Sequence, residues 1–292
     1  MGYVQGIKVA GIVIAINSDQ SAETKQLGVP YRDLLVKAEA EVNINAHTDG
    51  LPQLNVQAME KLFDSEMIWK LYRENGRHVF TFESANFNPP LYRIAIFSKN
   101  YLQGDVYSYP NKPEISNDGF VPNPLEFPLS EVLMVCLLAQ RRGLMIHACG
   151  LDDSGRGYLF AGNSTHGKST IARIWKNQAI VLNDDRIILR QKEGHFWMYG
   201  TPWHGDYTGV ASHGVPLEKI FFLHQASENA AQKVGGIIAG SNLLTRTFPP
   251  LWDHEGMKFT LEFCKNLVET VPCYELGFLP DGEIMDFVRC LN

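Results

Sequence analysis

The segment with the clearest chemical signature is GNSTHGKST, which begins at Gly162 and ends at Thr170. It fits the pattern G-x-x-x-x-G-K-[ST], in which backbone N–H groups wrap a polyphosphate at the positive end of the following helix. Lys168 would then place a charge between the outer phosphates, and the Ser169 hydroxyl would reach the magnesium ion that bridges them. The predicted phosphate-binding residues are Gly162, Asn163, Ser164, Thr165, His166, Gly167, Lys168, Ser169 and Thr170.

The elements on either side of this loop are those that the pattern requires. A short apolar strand is predicted at 158–161 and an amphipathic helix at 170–175. The motif alone occurs often by chance, and the alternative is a glycine-bounded turn with an ordinary helix cap at Ser169. The order of strand, loop and helix favours the phosphate-binding interpretation.

Two adjacent acids follow the next apolar strand. The segment 179–182 is predicted to be a buried strand, and it ends in Asn183, Asp184 and Asp185. One carboxylate would hold a cation, and the other would accept a proton from an incoming hydroxyl. A solvated turn between two strands is the alternative, because Asn and Asp are common in turns. The residue types do not assign the two roles.

A turn at 152–155 predicts that 144–151 pairs antiparallel with 156–161. Register counted back from this turn sets His147 opposite Phe160, beside the mouth of the loop. A shift of one residue would turn these side chains to the other face of the sheet.

A second turn, at 191–194, joins predicted strands at 186–190 and 195–199. It returns the segment TPWHGD, residues 201–206, to the neighbourhood of the two acids. Two histidines and three aspartates are therefore expected around one space of triphosphate size. These side chains are His147, His204, Asp184, Asp185 and Asp206.

Taken together, these segments resemble the HPr kinase/phosphorylase family, whose nucleotide-binding core is shared with ATP-dependent phosphoenolpyruvate carboxykinases. The similar pieces are IHACG, GNSTHGKST and LNDDR, in that order and at similar spacing. TPWHGD followed by PLEKIFFL looks like a divergent branch of the family, members of which accompany peptide-modification systems. The resemblance covers about residues 128–290, and the first half has no match to the N-terminal domain of true HPr kinases.

The resemblance implies specific roles for the site residues. The catalytic residues would be His147, Lys168, Asp184 and Asp185, with one of the two acids as proton acceptor. The magnesium ligands would be Ser169, Asp185 and, by a loose alignment, Asp206.

The activity implied is that of a kinase that uses ATP or GTP with Mg²⁺ and transfers the γ-phosphoryl group to a hydroxyl, that of a serine in a protein or peptide. HPr itself is not expected as substrate, because the family's C-terminal docking segment has no recognisable copy here. Thr165 also replaces a glycine of the family's loop. Two alternatives therefore stay open: a nucleotide-binding regulator that transfers no phosphate, and a kinase of a small metabolite.

Other polar residues near the motifs have two interpretations each. His166 is expected to point outward, toward a nucleotide base or solvent. Arg186 would contact a phosphate or pair with an acid. Arg246 would meet the transferring phosphoryl group or lie on the surface, and Trp203 would serve the site or the core.

Composition limits the partners and the setting. The 292 residues include 26 Lys and Arg against 32 Asp and Glu, for a net charge of −6, so no face is expected to be basic enough for nucleic acid. No apolar run is long enough to predict a membrane-spanning helix. Five cysteines without metal-knuckle spacing suit free thiols in a reducing cytoplasm. We expect a cytoplasmic protein without nucleic-acid or membrane partners, and homo-oligomerisation stays open.

The elements that must hold the site are expected in the second of two domains, 1–125 and 126–292, linked by a proline-rich segment at 109–128. The first domain is predicted to be α+β and to recognise the acceptor, with strands at 7–16, 78–83 and 91–97 and a helix at 56–72. The second is predicted to be an α/β P-loop core of the carboxykinase and HPr-kinase type, with a mixed, curved sheet. Its further helices are predicted at 130–141, 255–271 and 284–290, and a strand at 273–277.

Overall fold

A computed structural model of the chain describes residues 3–18, 34–85, 87–109, 123–163 and 166–291. Its contacts divide the chain into two compact units, Met1–Leu137 and Leu138–Asn292. The division falls within helix α1, Leu129–Ala139. Among the described residues, no helix is long and apolar enough to cross a membrane.

The first unit is built on a nine-stranded mixed sheet with the order β3-β1-β2-β4-β9-β8-β7-β6-β5. The strands are β1 Tyr3–Val9, β2 Ile12–Ser18, β3 Leu35–Val36, β4 Val42–His47, β5 Glu60–Asp64, β6 Trp69–Glu74, β7 Arg77–Glu83, β8 Leu91–Phe97 and β9 Gln103–Ser108. The strands predicted at 78–83 and 91–97 are confirmed as β7 and β8.

The first predicted strand, 7–16, is two strands. Ala10 (φ 50°) and Gly11 (φ 84°) are both left-handed and form the turn of a hairpin between β1 and β2. Two positive φ angles match the twist of a tight hairpin. The apolar pattern runs through the turn, so the reversal of the chain was missed.

The helix predicted at 56–72 is wrong. Val56–Ala58 is a single 3-10 turn, and β5 and β6 follow it as an antiparallel hairpin. Ser65 stabilises the turn, because its Oγ accepts hydrogen bonds from the backbone N–H groups of Met67, Ile68 and Trp69 at 3.3, 3.2 and 3.0 Å. Pairing with β7, which buries Leu71 completely, overrides the local helical pattern.

The strands at 214–225 and 230–234 and the helix at 236–244 were not predicted, whereas the other elements of this part of the chain agree with the sequence pattern to within a few residues at each end. The remaining elements follow in chain order. They are β10 Leu144–Asp153, β11 Arg156–Ala161, α2 Lys168–Trp175, β12 Ile180–Asn183, β13 Arg186–Lys192, β14 His195–Tyr199, β15 Gly214–Gln225, β16 Ala230–Val234, α3 Gly236–Leu244, α4 His254–Thr270, β17 Cys273–Phe278 and α5 Glu283–Cys290. This part of the chain is of the α/β class, as predicted.

The sheet of the second unit curves into a ring. Its order is β11-β10-β13-β14-β15-β17-β16, and β11 also pairs with β15. The strands β11, β15 and β17 are parallel, so their carboxyl ends meet at one edge. The loop that follows Ala161 leaves from this edge.

Alternate residues of these strands build two cores on opposite faces of the sheet. Cys149, Phe160 and Phe221 pack with α2 and α5, through residues that include Trp175 and Ile284. On the other face, the core side chains from α3 and α4 are Ala239, Leu243, Phe263, Cys264 and Leu267. The N-terminus of α2 is thereby fixed beside the edge at which the parallel strands end.

The register of the β10–β11 hairpin differs from the predicted one by two residues. Asp153 pairs with Arg156 and Cys149 pairs with Phe160. The turn therefore has two residues instead of the four assumed, and His147 does not lie opposite Phe160. A shift of two residues preserves the face of the sheet.

Candidate functional site

The loop between β11 and α2 approaches its neighbours closely. Gly167 has φ 92° and caps α2. A Cβ at this position would lie 2.7 Å from Cζ of Phe278. Position 167 therefore requires glycine for both its backbone angle and its space. The predicted binding residues Ser164 and Thr165 lie outside the described residues.

Lys168 is the first residue of α2, and its side chain reaches back into this loop. Its side chain is buried, and its Nζ donates hydrogen bonds to the carbonyl oxygens of Gly162 and Asn163, each at 3.0 Å. Burial lowers the pKa of Lys168 below its usual value, and the carboxylates of Asp185 and Asp184 oppose that shift. A buried ammonium is stabilised by nearby negative charge, so the loop is suited to an anionic group.

Asp184 joins the end of β12 to the first turn of α2. The Ser169 hydroxyl donates to Asp184 Oδ2 at 2.7 Å. The backbone N–H groups of Gly205 and Tyr207 also donate to this carboxylate, at 2.8 and 3.0 Å. Asp184 is 1% exposed, so the hydrogen bonds replace its lost hydration.

Asp185 has different partners. Its Oδ1 lies 2.7 Å from His147 Nε2, and its Oδ2 accepts a 2.6 Å hydrogen bond from Arg186. Burial by itself raises the pKa of Asp185, but the His147 hydrogen bond and the charges of Arg186 and Lys168 outweigh it and hold the pKa below its usual value. The Asp185 side chain is 25% exposed, so an incoming group can reach this ionised carboxylate.

Asn183 shapes the turn that contains both acids. Its Oδ1 accepts from the N–H groups of Asp185 and Arg186 at 2.7 and 3.0 Å. Its Nδ2 donates to the carbonyl oxygen of Thr201 at 2.9 Å. The two interpretations of this segment are therefore compatible, because Asn183 closes a turn that contains both acids.

The structure brings the backbone of the TPWHGD segment to the acids. A Cβ at Gly205 would lie 3.1 Å from Asp184 Oδ2. The side chains of His204 and Asp206 are exposed. Within the described residues, no group of three or more His, Cys, Asp or Glu is arranged to hold a metal. The described contacts of this segment with Asp184 are made by the N–H groups of Gly205 and Tyr207.

Two of the neighbouring side chains differ from expectation. His166 does not point outward, because its Nδ1 lies 3.0 Å from the carbonyl oxygen of Leu223 at the end of β15. Arg246 is half-buried, and its guanidinium lies 5.6 Å from the ring of Phe222, which disagrees with the surface alternative. Its contact with a transferring phosphoryl group stays a prediction. Arg186 pairs with an acid, which is one of its two predicted alternatives.

Sequence reasoning missed Phe248. Its ring lies 4.3 Å from the Arg186 guanidinium and 6.3 Å from the His147 ring. The signal available in the sequence was an aromatic residue two positions after Arg246, but only the tertiary fold brings it beside the acids.

Comparisons with known proteins assign no family. No family model matches the chain, and no curated protein matches it. Among solved structures, the HPr(Ser) kinase/phosphatase from Coxiella burnetii is similar with a TM-score of 0.32 and 12% identity, over 50% of this chain and 93% of that one.

Proposed function

We propose that the chain is a kinase that uses ATP and Mg²⁺ to phosphorylate a serine hydroxyl of a protein or peptide. The observation that carries this proposal is one continuous set of contacts. Ser169 bonds Asp184 at 2.7 Å, and the adjacent Asp185 bonds His147 at 2.7 Å. A phosphate-loop hydroxyl thus meets one acid, while the neighbouring acid stays ionised and accessible.

The residues present fit a magnesium nucleotide. Ser169 and Asp184 offer the hard oxygen donors that Mg²⁺ prefers, at the N-terminal end of α2. Gly162, Gly167 and Lys168 would hold the phosphates through N–H groups and an ammonium. When bound, Mg²⁺ neutralises charge on the phosphate oxygens. Asp184 is therefore proposed as the metal-associated acid, in place of the predicted Asp185 and Asp206.

Asp185 is proposed as the proton acceptor. The acceptor hydroxyl would donate its proton to an Asp185 oxygen while its own oxygen bonds the γ-phosphorus, and the bond from that phosphorus to the β–γ bridging oxygen breaks. Hydrogen bonds from His147 and Arg186 hold the carboxylate in one orientation. Lys168 would stabilise the negative charge on the transferred group.

The choice of acceptor rests on the sequence resemblance. TPWHGD and the segment after it are similar to a branch that accompanies peptide-modification systems, and this favours a peptide or protein over a small alcohol. We do not propose HPr, because its docking segment has no recognisable counterpart.

The test is phosphotransfer from γ-labelled ATP to a library of serine-containing peptides, with small alcohol metabolites in parallel. Asp185→Asn should lower turnover about 10²-fold or more and spare nucleotide affinity, because a general base contributes that much. Lys168→Ala should weaken nucleotide binding and abolish transfer. The matched control is Asp286→Asn, whose carboxylate is 88% exposed on α5. Nucleotide binding without any labelled product would support the regulator instead, and an active Asp185→Asn variant would exclude the mechanism.

A further inference from the structure

The segment that contains Phe248 lies beside β10 and is joined to it by an isolated antiparallel bridge between Ile146 and Thr247. Phe248 N–H donates to the Met145 carbonyl oxygen at 3.0 Å, and His147 N–H donates to the Arg246 carbonyl oxygen at 2.8 Å. Thr247 bridges Ile146 between them. These backbone hydrogen bonds, one on each side of Thr247, therefore fix the position of the Phe248 backbone relative to His147.

This ring lies against both hydrogen-bonding partners of Asp185. The Arg186 guanidinium lies 4.3 Å from its centroid, and the His147 ring lies 6.3 Å away and tilted. Arg186 is 19% exposed and donates to Asp185 Oδ2, while His147 lies against Oδ1. The two carboxylate oxygens are thus held by two groups that share one aromatic neighbour.

A guanidinium is planar, and stacking on an aromatic face restricts its rotation. If Arg186 were free to rotate, its several N–H groups could reach either oxygen of Asp185. When Arg186 is stacked on Phe248, it donates to one oxygen of Asp185, and the other oxygen stays available to His147. The orientation of the carboxylate then no longer depends on a mobile side chain, and small errors in the placement of reacting groups cost rate.

We propose that Phe248 is a positioning residue for phosphotransfer, which acts by holding Arg186 against Asp185 through its aromatic face. This role rests on the proposed kinase function. The described ring contacts of Phe248 are with Arg186 and His147, the two partners of Asp185, so it should affect turnover more than nucleotide affinity.

The test compares Phe248→Leu, which keeps an apolar side chain without the π face, with Phe248→Tyr, which keeps the ring. We expect Phe248→Leu to lower kcat about tenfold, from the usual strength of a partly desolvated cation–π contact. The KM for ATP should change less than about twofold, and Phe248→Tyr should retain most of the activity. Phe259→Leu is the control, because the ring of Phe259 makes the same kind of contact outside the candidate site. The Arg141 guanidinium lies 5.9 Å from its centroid.

A double-mutant cycle tests the route of the effect. Arg186→Lys removes the planar group, so Phe248→Leu should cause little further loss in that background. Full additivity of the two losses would overturn the proposal. So would a Phe248→Leu enzyme with wild-type kcat, or a Phe248→Tyr enzyme as impaired as Phe248→Leu.

A second readout does not depend on activity. The guanidinium NMR resonance of Arg186, assigned by its loss in Arg186→Lys, should be shifted upfield by the ring, keep that shift in Phe248→Tyr and lose it in Phe248→Leu. An unshifted wild-type resonance would refute the stacking. A wild-type chain that phosphorylates no acceptor would overturn the kinase function and this role together, whereas an active wild type with an equally active Phe248→Leu variant would overturn the role alone.

Discussion

Replacement of Asp184 by asparagine should destabilise the fold more than the same change at Asp185. Asp184 is buried and accepts three hydrogen bonds, from Ser169 and Tyr207 at Oδ2 and from Gly205 at Oδ1. Two of the donors are backbone N–H groups, which cannot reverse their role. Asp185 is more exposed, and its two partners are side chains.

The size of the loss in the free energy of unfolding depends on which of the three hydrogen bonds an asparagine amide can keep. If Nδ2 takes the Oδ2 position, the Ser169 hydroxyl can turn to accept from it, but the Tyr207 N–H then faces a donor. If the amide is flipped, the Gly205 N–H faces one instead. Either way one buried N–H loses its acceptor, at about 1–3 kcal/mol, and the remaining bonds lose their charge assistance, at about 1 kcal/mol. We expect a loss of about 2–4 kcal/mol in the free energy of unfolding.

The assay is urea denaturation at pH 7 without nucleotide, followed by circular dichroism, for the wild type and the two variants. Asp185→Asn should cost about 1 kcal/mol or less, because partly exposed ion pairs contribute little. The denaturant dependence should be unchanged in all three, which would show that the loss is one of stability. Equal stability of Asp184→Asn and the wild type would refute the argument that this carboxylate holds α2 and the 205–207 backbone together.

Three further predictions concern other positions. Gly167→Ala should destabilise the chain by about 1–2 kcal/mol in the same assay, because it combines a left-handed φ with a Cβ 2.7 Å from Phe278. Hydrogen bonds from Arg289 hold the pKa of Asp153 below its usual value. Its stabilisation is therefore complete above about pH 4 and is lost as the pH falls through the lowered pKa, so Asp153→Asn should lower Tm at pH 7 and have less effect in acid. Cys290 alone among the five cysteines should react with iodoacetamide in the native state, because the other four are buried.

Local spacing was sufficient for the part of the site that lies close in sequence. The glycine-bounded loop follows β11 and leads into α2 within a few residues, so adjacent strand, glycine and helix signals could be interpreted together. The apolar segment before Asp184 likewise forms β12, as predicted. Errors arose where neighbours distant in sequence decided the outcome, as for the helix predicted at 56–72, which pairs as strands with β7.

The amino-acid sequence by itself determined which chemical groups the chain offers: a glycine-bounded loop with a lysine and a serine, and two adjacent acids. Only the tertiary structure decided that the acids differ. Asp184 turns toward Ser169 and the backbone of Gly205, whereas Asp185 turns toward His147 and Arg186. The physical reason is that a carboxylate's burial and hydrogen-bond donors are set by strands and loops distant in sequence, and residue type cannot encode them.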